Sequence, residues 1–230
     1  MTKKEGVLLA EYGEKIKIQH VEMKQELSSH ISIRPNSQTA FSSIIWKIDW
    51  NRFFPKVVHP GGISADTSNF DEFSEFLTHQ APHLLEVSDS KDHFLYREKS
   101  DAKLRYYAHA GDCFCFKDGP KIVGVFLGTP IDWGSYYLRY TWILPEYRGA
   151  GFYQTFLAYY LECLKMAGVD RAEGDISPSN PAHLHIFSKL QFKITGFNAS
   201  ERWGAMIHLT RFLSQKHEDV FEKQFLTHEV

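Results

Sequence analysis

The stretch Leu144-Pro145-Glu146-Tyr147-Arg148-Gly149-Ala150-Gly151 constrains this chain most, because it joins a β-rich segment directly to the strongest helical pattern in the sequence. Upstream, Tyr136–Leu144 alternates and is rich in strand formers. Downstream, Tyr153, Phe156, Leu157, Tyr160, Leu161 and Leu164 fall on one apolar stripe of a helix. Gly149 and Gly151 let the backbone turn sharply with no Cβ in the way of a ligand. The helix then offers free N–H groups and a positive dipole end to an anion, and Arg148 adds a cation. From the loop alone, a phosphate or pyrophosphate cradle and a plain strand-to-helix turn with a surface arginine are equally good readings.

The signals around this junction define the fold class. Phe70, Phe73, Phe76 and Leu77 recur at helical spacing behind Asn69, a good N-cap, and Pro82 ends or kinks that helix. Cys113–Phe116, an Asp118-Gly119 turn and Ile122–Leu127 read as a hairpin. After the long helix, Gly168 suits a left-handed C′ position, with Val169 packing back on Leu164. Ala172–Ser177 reads as a strand and Pro181–Leu190 as a short helix capped by Asn180 or Ser179. Phe192–Phe197 and Met206–Leu213 are the closing strands. This order makes a mixed α/β (α+β) chain with helices covering a central sheet. Before it, Val7–Leu9 and Ile16–Ile18 around Gly13 suggest a hairpin and Ile31–Pro35 a strand, while Pro60-Gly61-Gly62 is the sharpest break. The expected division is an N-terminal extension (1–66), a main domain (67–213) and a charged C-terminal tail (214–230).

Composition narrows the function classes. The 230 residues carry 26 Lys and Arg against 28 Asp and Glu, a net charge of −2 that argues against a dedicated nucleic-acid binder. Three cysteines, Cys113, Cys115 and Cys163, cannot pair into a disulfide framework and point to a reducing compartment. Neither C-x-x-C nor H-E-x-x-H occurs, so no metal is expected. No apolar run approaches the ~18 residues of a membrane span. The apolar start dies at Glu11, short of the ~7–15-residue core of a signal peptide. These readings place the chain in the cytoplasm, with neither membrane nor nucleic acid as partner.

Arg148-x-x-Gly151, set between Ile143-Leu144-Pro145 and an amphipathic helix, resembles the acetyl-CoA loop Q/R-x-x-G-x-G/A of the GNAT N-acetyltransferase superfamily. Tyr153 stands where that pattern has glycine or alanine, which predicts a narrower or reshaped phosphate loop. A second segment, Asn180 to Phe192 (NPAHLHIFSKLQF), is similar to the family's N-x-x-A-x-x-x-Y-x-K-L-G-F. Asn180, Lys189, Leu190 and Phe192 match; His183, Phe187 and Gln191 replace its alanine, tyrosine and glycine. The Lys-Asp-Gly-x-x-Ile-Val-Gly hairpin at 117–124 fits the family's second and third strands. The resemblance covers 67–213 and leaves 1–66 unaccounted for.

The resemblance implies a central, mostly antiparallel sheet flanked by helices, with acetyl-CoA or another acyl-CoA as co-substrate. On that basis, backbone groups of Trp142, Ile143 and Leu144 hold the pantetheine arm and the thioester oxygen. Arg148, Gly149, Ala150, Gly151, Phe152 and Tyr153 hold the pyrophosphate. Asn180 bonds the pantetheine or is simply a helix cap, and Phe187 packs near the thioester. The acyl group passes directly to a primary amine of a small molecule or peptide, in a ternary complex. A protonated amine has no lone pair, so a carboxylate is expected nearby as base. Glu173 and Asp175, two apart on a strand, share a face. Asp175 stands where some family members that acetylate protein N-termini carry a glutamate base; a solvated strand-end carboxylate is the plainer reading. Many members protonate the departing thiolate with a tyrosine at the position of Phe187, which phenylalanine cannot do. Ser177, Ser179 and Tyr153 are the candidate substitutes. The alternative function is a catalytically silent acyl-CoA-binding sensor or partner-docking module.

Other groups have plainer readings. Trp46, Trp50, Phe53 and Phe54 suggest an acceptor pocket or a homodimer patch, with core packing the simpler account. His183 and His185 face apart on a helix, and His79 and His83 flank Pro82, so neither pair reads as a metal site. Cys113 and Cys115 read as small buried hydrophobes on one strand face. Asp71, Glu72, Glu75 and Glu86 would attract a cationic amine or simply face solvent.

Overall fold

The structure, a computed structural model, describes residues 47–81, 106–200 and 203–226. The expectations for Val7–Leu9, Ile16–Ile18, Ile31–Pro35, Trp46, Pro82, His83 and Glu86 fall outside those residues.

A short β1 (Lys56–Val57) and β2 (Ser64–Ser68) lead into helix α1 (Phe70–Gln80). Strand β2 therefore runs across the boundary expected near residue 66, and the sheet begins upstream of it. Asn69 caps α1 as its sequence position suggests, its Oδ1 accepting the Glu72 N–H at 2.8 Å. A helical turn at 106–110 precedes the hairpin of β3 (Asp112–Asp118) and β4 (Lys121–Pro130). Strand β5 (Ser135–Ile143) then feeds the loop and helix α2 (Phe152–Met166), followed by β6 (Arg171–Ile176) and α3 (Pro181–Lys189). The end of α2 has the expected Schellman geometry: Gly168 sits at φ 85° and the Val169 N–H reaches Leu164 O at 3.0 Å. Strands β7 (Lys193–Ser200) and β8 (Gly204–Phe212) close the sheet. The tail continues into helix α4 (Gln215–Phe221), tied back where Lys193 Nζ reaches Glu218 Oε1 at 2.8 Å and pairs with Glu222.

Eight strands form one sheet in the order β1-β2-β3-β4-β5-β6-β8-β7. All neighbours are antiparallel except β5 and β6, which run parallel and stay in register only over Ser135–Tyr137 and Arg171–Glu173. Beyond that point β5 remains bonded to β4 and β6 to β8, so the two strands part. A register shift against β4 leaves Arg139 without an opposite number, so the alternation of β5 changes there.

Helices α2 and α3 cover one face over an aromatic core of Phe114, Phe116, Phe126, Phe156 and Tyr160. Trp50 and Phe54 belong to this core, with the Trp50 ring stacked on Tyr160 at 4.5 Å, so these two are packing residues. Helix α1 covers the other face through Phe73 and Leu77, against Cys113, Cys115, Val125 and Leu127. Burial pushes the Cys113 and Cys115 thiols up to about 12 and about 11, as suits inert apolar side chains.

At the end of α3 stands Gln191, where the resemblance has glycine, and its backbone is left-handed (φ 62°). The Gln191 and Phe192 N–H groups close this C-cap on Ser188 O and Phe187 O, both at 3.0 Å. A side chain in that conformation costs roughly 1–2 kcal/mol, part of which glycine returns through the entropy of its unfolded chain. Gln191→Gly is expected to stabilise the protein by about 0.5–1 kcal/mol in denaturant unfolding, whereas Gln191→Val should destabilise it.

Candidate functional site

The loop after β5 begins with a single 3-10 turn at Pro145–Tyr147 and continues through Arg148 to Gly151. Gly149 and Gly151 take φ values of 77° and 84°, the conformation anticipated for a sharp turn into a helix. With Thr155 N–H the first to bond back to Gly151 O, the N–H groups of Phe152, Tyr153 and Gln154 have no acceptor within α2. These donors, at the positive end of a 15-residue helix, match an anion such as pyrophosphate. Arg148 is folded back over the sheet edge. Its Nε donates to Ile143 O at 2.9 Å, and its guanidinium lies 4.8 Å above the Trp142 ring.

The gap between β5 and β6 leads away from this loop. Of Trp142, Ile143 and Leu144, the residues expected to face it, Leu144 donates its N–H to Val123 O at 2.9 Å, across the β4 side. A Cβ placed on Gly124 would meet Trp142 O at 2.8 Å, which puts that carbonyl on the β4 side as well. By the alternation of an antiparallel ladder, the backbone groups turned toward the gap are those of Thr141 and Ile143. Ile143 and Thr141 therefore turn their backbone groups toward the gap, and Trp142 and Leu144 turn theirs toward β4.

Tyr153 does not crowd the loop. Its side chain is buried beneath α2, with its hydroxyl between Thr141 Oγ1 at 3.0 Å and His183 Nε2 at 3.2 Å. Residues 153 and 183, both small in the family pattern, are large here and touch one another. Burial lowers His183 to about 4, so the imidazole is neutral at ordinary pH, and burial also raises the Tyr153 phenol. Asn180 is the N-cap of α3, its Oδ1 accepting the His183 N–H at 3.2 Å. Phe187 is buried, with Cε1 and Cζ 3.4 and 3.7 Å from where a Cβ on Gly174 would sit, beside the parting point of the strands.

On the opposite face of the sheet, Glu173 and Asp175 share one hydrogen-bonded cluster. Asp175 Oδ2 accepts the Tyr137 hydroxyl at 2.5 Å, and Oδ1 accepts Asn198 Nδ2 and His208 Nδ1, each at 2.8 Å. A carboxylate only accepts, so the His208 proton on that side belongs to Nδ1. His208 Nε2 lies 3.5 Å from Glu173 Oε2, and Arg171 Nε donates to Glu173 Oε1 at 2.5 Å. Burial and the Asp175 carboxylate together raise the Tyr137 phenol well above its ordinary value. Sequence reasoning found the two carboxylates and missed Tyr137, Asn198 and His208. His208 stands directly opposite Asp175 in the β6–β8 register, a relation carried by strand pairing across 33 residues. Ser177 and Ser179 bond each other at 2.7 Å on an exposed turn. Among the described residues no group of three or more His, Cys, Asp and Glu is placed to hold a metal, and no helix is long and apolar enough to cross a membrane.

A family model described as the acetyltransferase (GNAT) family matches residues 71–192. Among solved structures, the fold is similar to an IAA acetyltransferase from Bacillus cereus ATCC 14579 (14% identity, TM-score 0.51, covering 65% of this chain and 99% of that one). It is similar to mutant forms of the spermidine/spermine N-acetyltransferase SpeG from Vibrio cholerae (15%, TM-score 0.51, 69% and 98%). It is also similar to a GNAT family acetyltransferase from Elizabethkingia anophelis with acetyl-CoA bound (15%, TM-score 0.50, 65% and 97%). No curated protein matches the chain by sequence.

The depressed His183 has a readable consequence. The unfolded chain takes up this proton near the ordinary value of 6.5, and the folded chain only near about 4. Stability from this group is therefore complete above 6.5 and falls as pH drops from there to about 4. In NMR titration the His183 ring is expected to show a midpoint near about 4. His183→Gln, which keeps an acceptor for Tyr153, should flatten that acid-side loss of stability.

Proposed function

We propose, for a chain that belongs to the acetyltransferase (GNAT) family, that it transfers an acetyl group from acetyl-CoA to a primary amine by direct attack in a ternary complex. The observation that carries this reading is the parting of β5 and β6, with an anion-binding loop at one end and the Asp175 cluster at the other. Acetyl-CoA, when bound, supplies an activated acyl carbon and a thiolate leaving group. The Phe152–Gln154 N–H groups and the outer nitrogens of Arg148 suit its pyrophosphate, with Gly149, Ala150 and Gly151 shaping the turn. Ile143 and Thr141 offer backbone groups to an extended amide-bearing arm, and Asn180 borders it at the start of α3. An acyl-CoA longer than acetyl-CoA fits the same reading.

Glu173 and Asp175 are proposed to draw in a cationic amine and take its proton, which frees the nitrogen lone pair. His208 and Asn198 orient Asp175 for that role. The Vibrio relative's substrate makes spermidine the first acceptor to try, beside a peptide with a free N-terminus. Phe187 favours the second reading, a silent acyl-CoA-binding sensor or docking module, because it carries no proton for the thiolate.

Calorimetric titration of the protein with acetyl-CoA is expected to give saturable binding, weakened about tenfold or more in Arg148→Ala by loss of a charge-assisted contact. Asp175→Asn should lower kcat with spermidine or the peptide by roughly 10²-fold while leaving acetyl-CoA affinity unchanged. Binding with no turnover on either amine points to the silent module. Full activity with an unchanged pH profile in Asp175→Asn removes Asp175 as the base.

A further inference from the structure

We propose that the Tyr137 hydroxyl is the proton donor to the departing thiolate, reaching the gap between β5 and β6 from the face of the sheet opposite Phe187. The inference rests on the acyl-CoA reading above. Tyr137 is the last residue of β5 in register with β6, opposite Glu173. Its hydroxyl nevertheless reaches Asp175 Oδ2, two residues further along β6. The phenol ring therefore leans across the point where the two parallel strands part. Phe187 touches the same point from the α3 face, its ring edge at Gly174, with Leu138 O 3.6 Å from the same Cβ position. Two aromatic rings thus bracket the end of the gap, and only Tyr137 carries a proton to give.

The other hydroxyls near the gap are placed less well. Tyr153 bonds Thr141 and His183, four residues further along β5 toward the loop. Ser177 and Ser179 are engaged with each other on an exposed turn.

The surroundings of Tyr137 suit a donor that must recover its proton. Asp175 holds the phenol from one side and is itself fixed by Asn198 and His208. The Arg139 guanidinium lies 4.7 Å above the Tyr137 ring centroid, where it stabilises negative charge left on the phenol oxygen. As the nitrogen–carbon bond forms and the carbon–sulfur bond breaks, Tyr137 Oη passes its proton to the sulfur, which leaves with the bonding electron pair. A cationic amine sheds two protons on becoming the amide: one returns through Asp175 to Tyr137, replacing the proton given to the sulfur, and the other leaves to solvent from the carboxylates. The balance is one proton moved from nitrogen to sulfur and one released to solvent, with no external acid.

A first test needs no acceptor. A hydroxyl that reaches the sulfur stabilises the thiolate of bound CoA, so the ultraviolet thiolate band of the CoA complex is followed against pH. The charged and titratable groups facing Tyr137 are Asp175, Glu173 and Arg171 from β6, His208 from β8 and Arg139 on β5; Tyr107 lies against Arg139. Unbound protein serves as the blank for their titration. In Tyr137→Phe the thiol is expected to become about tenfold less acidic, the worth of one hydrogen bond to a charged group, with CoA affinity nearly unchanged. In turnover with spermidine or the free-amino peptide, Tyr137→Phe should lower kcat about 10²-fold and leave KM for acetyl-CoA in place. Phe187→Tyr puts a hydroxyl at the same point from the other face. The double variant Tyr137→Phe/Phe187→Tyr should therefore regain most of both losses, which a merely structural Tyr137 would not allow. An unchanged thiol titration in Tyr137→Phe with CoA bound, or a loss that the double variant fails to recover, overturns the proposal. Failure of wild-type protein to bind CoA at all overturns the acyl-CoA reading itself, and this inference with it.

Discussion

The parting of β5 from β6 is the constraint on which the rest of the site depends. Inside a sheet covered on both faces, backbone N–H and C=O groups find partners in neighbouring strands, and unpaired ones are costly. Here the one parallel contact of the sheet lasts three residues. Past it, β5 keeps only β4 and β6 keeps only β8, leaving an internal edge on which Thr141 and Ile143 face outward. The chain answers part of that demand itself, through Arg148 Nε on Ile143 O. An extended chain bearing amide groups would answer the rest, by the same logic that lets a peptide add to an exposed strand. The gap is thus an arrangement whose polar groups call for a particular kind of occupant.

Three local features hold the strands apart. The register shift at Arg139 changes the alternation of β5 where separation begins, so that Arg139 and Tyr140 break the pleat. The Phe187 ring fills the start of the gap from the α3 side, its edge so placed that a Cβ on Gly174 would meet it at ordinary contact distance. The left-handed Gly149 and Gly151 turn the chain at the end of β5 so that α2 starts beside the gap, its free N–H groups at the mouth. The glycine turn is local to the junction, and it is the part that reads so clearly in the sequence; the register shift is set against β4, and Phe187 reaches Gly174 from α3.

What was legible follows from that locality. The apolar stripe from Tyr153 to Leu164, the Asn69 and Asn180 caps, the Gly168 stop and the hairpin around Asp118-Gly119 all depend on near neighbours, and all are found where spacing put them. The strand Lys56–Val57 was missed because it is only two residues long, and Ser64–Ser68 because its main partner, β3, lies far along the chain and it carries little alternation of its own. The site divides in the same way. Asp175 and Glu173 were visible as a same-face pair, but His208, Asn198 and Tyr137 join them only through the pairing of β6 with β8 and β5. Which backbone groups of β5 face the gap depends on the phase of the ladder to β4, a one-residue matter that side-chain patterns do not fix.

The departures of this chain from the family pattern make more sense together than singly. A tyrosine at 153 buries a hydroxyl that an aliphatic neighbour would leave unsatisfied, at a cost of about 1–3 kcal/mol. His183 on α3 supplies the partner, and Thr141 on β5 supplies a second. The imidazole can occupy this place only as the neutral form, and its burial keeps it so. The inner wall between β5, α2 and α3 is therefore polar yet uncharged around Tyr153 and His183. Phe187, one turn along α3, packs its ring against His183 at 5.1 Å and against Phe192 at 4.2 Å. The acidic face holds a phenol with a carboxylate at 2.5 Å. The division of labour across the sheet follows: the helical face shapes and lines the gap, and the open face carries the ionisable groups.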